Sequence, residues 1–330
     1  MSEPNTTDTR QTENRETAEI RVGTDAPEVA ADAQRSDCWP VIETRDLSVW
    51  YGDERALDGF GESDLARAIR GLYATGFEQI ALTAADGVTE DQRRAIRNAT
   101  RKLVGVEVLE ETGSEIVLKN VLDASDVSLR KSVVRLRAVA LDVVEDATTA
   151  IAENDPALAR RAIDREDEID RVFDMVSRQF QRSLASFEAV DRLGLDRSTA
   201  FEYYATAREL ERVGDHAETI ASVAIRADRP IHPERNRALE RVGAESIAAV
   251  EDAVDAMLEE VPTERVFEVL DRCDALAAEV ADLDRRAYDV EAPASYWPRP
   301  ALDAFGRIAE HARRIGDVAV QSAARRGALA

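Results

Sequence analysis

After Asp123 the strand signals stop, and the chain resolves into six long stretches of helical periodicity separated by short breaks. Helices are expected near 127–154, 156–187, 196–227, 234–260, 263–290 and 299–326. The breaks fall at Asn154-Asp155-Pro156, Gly194, Arg229-Pro230, Pro262 and Pro293 to Pro300. Long helices with short joins can bury their apolar stripes only against one another, which is a bundle pattern. The six are two copies of three: RVGDHA at 212–217 recurs as RIGDVA at 314–319, and IDREDEID at 163–170 aligns with LDRCDALA at 270–277.

Within the first copy, the stretch from Ala205 to Ala224 places Leu210, Val213, Ala217, Ile220, Ala221 and Ala224 on one buried stripe. Glu211, Asp215 and Glu218 line its flank. Like charges four apart on a helix repel, so this edge calls for a cation. The preceding helix carries a stripe of Ala162, Ile169, Val172, Phe173, Val176 and Phe180, with Glu166 and Asp170 four apart beside it. Packed antiparallel, the two helices bring Glu166, Asp170, Glu211 and Asp215 to one groove. Hard oxygen donors in that pattern suit an iron, manganese, magnesium or calcium ion; the bland reading is four solvated helix charges. The second copy keeps only part of the set: Cys273 stands for Glu166, Ala277 for Asp170, Arg313 for Glu211 and Val318 for His216, while Asp317 still answers Asp215.

Composition limits the functions open to such a chain. Asp plus Glu outnumber Lys plus Arg by 66 to 43 over 330 residues, a formal charge of −23, which argues against a general grip on a phosphate backbone. Only Lys102, Lys119 and Lys131 are lysines, and this acid-rich, arginine-rich balance resembles proteins of a salt-loaded cytoplasm. Cys38 and Cys273 form no C-x-x-C unit, so neither a disulfide scaffold nor a zinc site is implied. With no leader-like start and no apolar run of the ~20 residues that span a bilayer, a soluble cytoplasmic protein is expected, without membrane insertion. No Ser-His-Asp set, cysteine nucleophile context or nucleotide loop is visible, and the Glu-x-x-His of di-iron enzymes is missing. A non-enzymatic role is the expectation.

Residues 1–38 hold almost no large apolar side chain and read as a disordered acidic tail. Residues 39–122 read as a small α+β domain: a strand over Val41–Val49, a turn at Tyr51-Gly52-Asp53, a helix from about Ser63 to Thr75 capped by Ser63 and a strand from Glu78 to Thr83. A helix from Thr89 to Leu103 and a hairpin around Thr112-Gly113-Ser114 complete it. Val41 to Phe60 resembles the opening strands of phosphate-importing ABC ATPases, but no G-x-x-x-x-G-K-[ST] follows, so ATPase activity is rejected. Arg93, Arg94, Arg97, Arg101 and Lys102 along the second helix could face phosphates, or form a solvated face.

The string ELERVGDHAETIA at 209–221, the Glu166/Asp170 pair and the degraded copy at 311–323 resemble the PhoU family of phosphate-uptake regulators, over roughly residues 125 to 327. The resemblance implies a mainly α fold of two tandem three-helix bundles, at 123–228 and 229–330, the second degenerate. It implies divalent or iron metal ions at Glu166, Asp170, Glu211 and Asp215, with Asp167, Asp174 and Glu218 as weaker candidates. His216 is read as either a ligand or a structural hydrogen-bonder. The implied function is negative regulation of the high-affinity phosphate ABC importer through its ATPase subunit, with a sensor kinase as a further partner and a homodimer as the assembly. The front domain resembles that of PhoU-like regulators from salt-loving archaea, which often begin with an AbrB-type DNA-binding module. The TYTVSLPK-like segment of that module is missing, which argues against DNA binding; a phosphate-responsive transcription regulator is the alternative.

Overall fold

The computed structural model describes residues 50–51, 54–55, 62–84, 87–122, 127–227, 231–259, 261–288 and 299–328. The expected acidic tail, the strand at 41–49 and most of the ATPase-like stretch lie outside them. In chain order, β1 (Trp50–Tyr51) and β2 (Glu54–Arg55) pair antiparallel. Then come α1 (Glu62–Ala74), β3 (Gln79–Thr83), α2 (Glu90–Arg101), β4 (Val106–Glu111) and β5 (Glu115–Asn120). The last three strands form an antiparallel sheet in the order β3-β5-β4. Thr89 caps α2 reciprocally with Gln92, as its sequence implied, whereas Ser63 lies inside the first turn of α1 and does not precede it. Ile69, Tyr73, Ile96, Ile116 and Leu118 form the core of this unit.

The helical part consists of α3 (Leu129–Glu153), α4 (Pro156–Ala185), α5 (Phe187–Leu193), α6 (Arg197–Arg226), α7 (Pro233–Leu258), α8 (Thr263–Tyr288) and α9 (Arg299–Arg325). Local chemistry sets the joins. Asn154 ends α3 with φ 54°, and the Asp155 carboxylate accepts the Ala157 and Leu158 N–H groups ahead of Pro156, which needs no acceptor. The single helix expected over 156–187 stops earlier. Ser186 is extended (φ −142°, ψ 136°) and its hydroxyl accepts the Ala189 N–H, so it closes α4 and opens α5, which periodicity alone did not separate. Gly194 then closes α5 at φ 63°.

Helices α3, α4 and α6 pack as one three-helix bundle, and α7, α8 and α9 as a second. The bundles share one continuous apolar core, joined by α3 against α7 and α6 against α9. Pairing of Glu202 with Ser322 and Arg325, and of Glu209 with His311, makes the α6/α9 seam antiparallel. At its centre His311 Nδ1 lies 2.7 Å from Glu209 Oε2, and His311 Nε2 lies 3.2 Å from His216 Nε2. Nδ1 of His311 thus meets a carboxylate on one side and its Nε2 meets the second imidazole on the other. Burial, then the neighbouring His311, pulls His216 down to about 4, which keeps it uncharged. His216 therefore acts in the seam as a hydrogen-bonding side chain.

Candidate functional site

Where α4 crosses α6, Gly214 replaces a side chain: a Cβ there would stand 2.6 Å from Ile169 Cδ1. The two helices approach closely at this level, and the flanking acids follow them in. Glu166 is pushed up to about 7, first by burial and then by Asp170, Glu218, Asp215 and Asp167. Glu211 is likewise held at about 7 by burial and by Asp215 and Asp170, with Arg212 pulling the other way. Burial also raises Asp215. Candidate residues from two helices thus share one electrostatic environment.

The cation beside them comes from the front domain. Arg70 of α1 follows Ile69, which is in that domain's core, and its guanidinium reaches across to α4. Nη1 stands 2.8 Å from Asp170 Oδ2 and Nε donates to Asp174 Oδ2 at 2.6 Å. Burial opposes the charge on Arg70, but the bonds to Asp174 and Asp170 outweigh it and raise its pKa. Nothing in the sequence marked Arg70. It is one of two arginines on an amphipathic helix, and only docking shows which of them meets an acid of α4.

Around this contact α4 presents a stripe at spacings of three and four. Asp167 accepts from Lys102 at 2.7 Å, Arg182 pairs with Glu78 at 2.6 Å, and Arg178 donates to the carbonyls of Tyr73 (3.0 Å) and Phe77 (2.7 Å). Arg178 is only 1% exposed and packs 5.1 Å over the Tyr73 ring, with Nε and Nη2 unpartnered. Its burial lowers its pKa to about 10. The chain turns tightly here at Gly76 (φ +101°), where a Cβ would lie 2.8 Å from Arg182 Cγ.

Among the described residues no group of three or more His, Cys, Asp or Glu side chains stands where it could hold a metal ion. As placed, the four candidates do not fit one, because an oxygen of Asp170 is already given to a guanidinium. The corresponding groove of the second bundle is neutralised from within: Arg313, at the position of Glu211, reaches Asp274 at 2.9 Å and Asp317 at 3.0 Å. Cys273 is buried there and its thiol is pushed up to about 11 by that burial, so it stays protonated and unreactive.

The basic stripe on α2 is also engaged inside the chain. Arg93 donates to Glu111 and to the carbonyls of Thr112 and Gly113, Arg97 donates to Glu111, and Arg94 lies 3.2 Å from Asp91. The hydrogen bonds from Arg93 and Arg97 hold Glu111 below the usual carboxylate range.

The family model of the PhoU domain matches residues 133–224, the span of α3, α4 and α6. By this match the first bundle is a PhoU domain. Among solved structures it is similar to PhoU from Pseudomonas aeruginosa, with 22% identity and a TM-score of 0.53 over 60% of this chain and 96% of that one. This likeness extends the shared fold across both bundles of the PhoU-like chain. A phosphate transport system regulatory protein PhoU from Streptococcus pneumoniae is more distant, at 17% identity and a TM-score of 0.48 over 58% of this chain and 91% of that one. No curated protein matches the chain. No helix among the described residues is long and apolar enough to cross a membrane.

Proposed function

We propose that this PhoU-family chain is a non-enzymatic regulator of phosphate uptake, a helical adaptor that restrains the high-affinity phosphate ABC importer through its ATPase subunit. The observation that carries the reading is the PhoU-domain match across the first bundle, which contains the ELERVGDHAETIA string on α6. The chemistry of the groove agrees with an adaptor: Asp170 and Asp174 on its edge are engaged by a guanidinium of the same chain. A sensor kinase as a second partner and a homodimer as the assembly belong to the same proposal.

The test is a deletion strain grown with ample phosphate. It should keep importing phosphate and expressing alkaline phosphatase as if starved, and the full-length chain should retain the importer's ATPase subunit in a pull-down. A deletion strain that still shuts down uptake normally, together with no recovery of that subunit, would sink the reading.

A further inference from the structure

We propose that the aromatic end of the first bundle, Leu184, Phe187 and Phe201 around Arg197, is the face on which the importer's ATPase subunit docks, through a segment that carries a carboxylate among aliphatic side chains. The inference rests on the adaptor reading above and adds the surface to it.

The patch is continuous. Phe187 opens α5 with 74% of its surface exposed, Leu184 stands at 51% and Phe201 at 48%. The Arg197 guanidinium lies 4.5 Å from the Phe187 ring centre, and its Nε donates to the Ser183 carbonyl at 2.9 Å, beside Leu184. One turn further along α6, Phe201 meets Phe180 with ring centres 6.1 Å apart, and Phe180 stacks on Tyr204 at 4.6 Å. With Phe173, which also stacks on Tyr204, four of the chain's eight phenylalanines gather at this end. In a chain only 5% aromatic, rings left in water at one spot mark a surface that another molecule covers.

The second repeat lacks the patch. At the registers that align the repeats, Phe180, Phe201 and Tyr204 are answered by Ala287, Asp303 and Gly306. Arg197 is answered by Arg299, which donates to Asp284 at 3.1 Å, and Ser177 stands where that aspartate would be. Arg197 therefore has no carboxylate paired with it among the described residues, whereas Arg182 and Arg192 nearby are paired with Glu78 and Glu188. That sets the occupant's chemistry: aliphatic groups against the rings and a carboxylate on the guanidinium. A net charge of −23 on each chain opposes a second copy at this face, and it opposes an anionic bilayer equally.

The test measures the affinity of the purified ATPase subunit for the immobilised full-length chain at fixed ionic strength. F187S combined with F201S should bind at least about tenfold more weakly than wild type. R197E should lose a similar factor and R197K should keep most of the affinity. F267S, which removes a ring as exposed as Phe201 but on α8, should match wild type. Phe187 is mostly in water, so F187S alone should keep the wild-type circular dichroism while binding more weakly. Equal binding by wild type and the double variant overturns the proposal and leaves the adaptor reading standing; no binding by wild type overturns both. Equal weakening by F267S overturns the surface too. A wild-type dimer that F187S dissociates in sedimentation gives the face to a second copy, and wild-type flotation with phosphatidylglycerol vesicles that F187S abolishes gives it to a bilayer; either result overturns the proposal.

Discussion

The two bundles share a scaffold and differ in how they compensate charge. In the first, acids line a half-buried groove and the balancing arginine arrives from a different domain, with Asp174 left only 9% exposed at the side chain. In the second, an arginine replaces one of the acids on the same helix and meets partners that stay largely in water, Asp274 at 61% and Asp317 at 41% exposure. The same compensation is therefore structural in one bundle and superficial in the other. What differs is desolvation: an ion pair gains or loses stability chiefly through how much water its members surrender.

If the scaffold is truly shared, cutting equivalent core side chains should cost the same. I169A and L276A, at matching positions 0% and 4% exposed, are each expected to lose about 3 kcal/mol in urea unfolding. A large difference between them would break the comparison at its root. The charges should then separate the bundles. R70Q leaves Asp170 and Asp174 without their cation and should cost about 2 kcal/mol, discounted because Arg70 itself is 42% exposed.

The pH dependence sharpens the contrast. Glu211 has its pKa raised from 4.5 to about 7, so the folded state binds its proton more tightly than the unfolded chain does. That contribution is complete below about pH 4.5 and is lost as pH rises through about 7. E211Q should accordingly be more stable than wild type at pH 8, by at least about 1.5 kcal/mol more than at pH 4. A pH-independent difference would mean that Glu211 is not held in a shared acidic groove. The smallest effect is expected in the second bundle, where R313Q should change stability by no more than about 0.5 kcal/mol at either pH, because its partners are solvated.

Much of the architecture was legible in the residues. The α6 stripe of Leu210, Val213, Ala217, Ile220, Ala221 and Ala224 is buried throughout, and Asn154-Asp155-Pro156 and Gly194 break the chain as their conformational preferences require. Ser186 was less legible, since a serine within a helical pattern does not reveal whether its hydroxyl will turn to cap a new helix. Of the site, the facing acids Glu166, Asp170, Glu211 and Asp215 could be chosen by spacing. Their partner could not.

The sequence by itself determined the repeat, the helices and their apolar faces, and the excess of carboxylates beside one of those faces, because periodicity and capping act over a few residues. Only the tertiary structure decided which cation meets them. Arg70 and Asp174 are 104 residues apart, and no local pattern couples them. Docking α1 on α4 selects this arginine, since a charge is stabilised by whatever stands within a few ångströms of it, however distant along the chain.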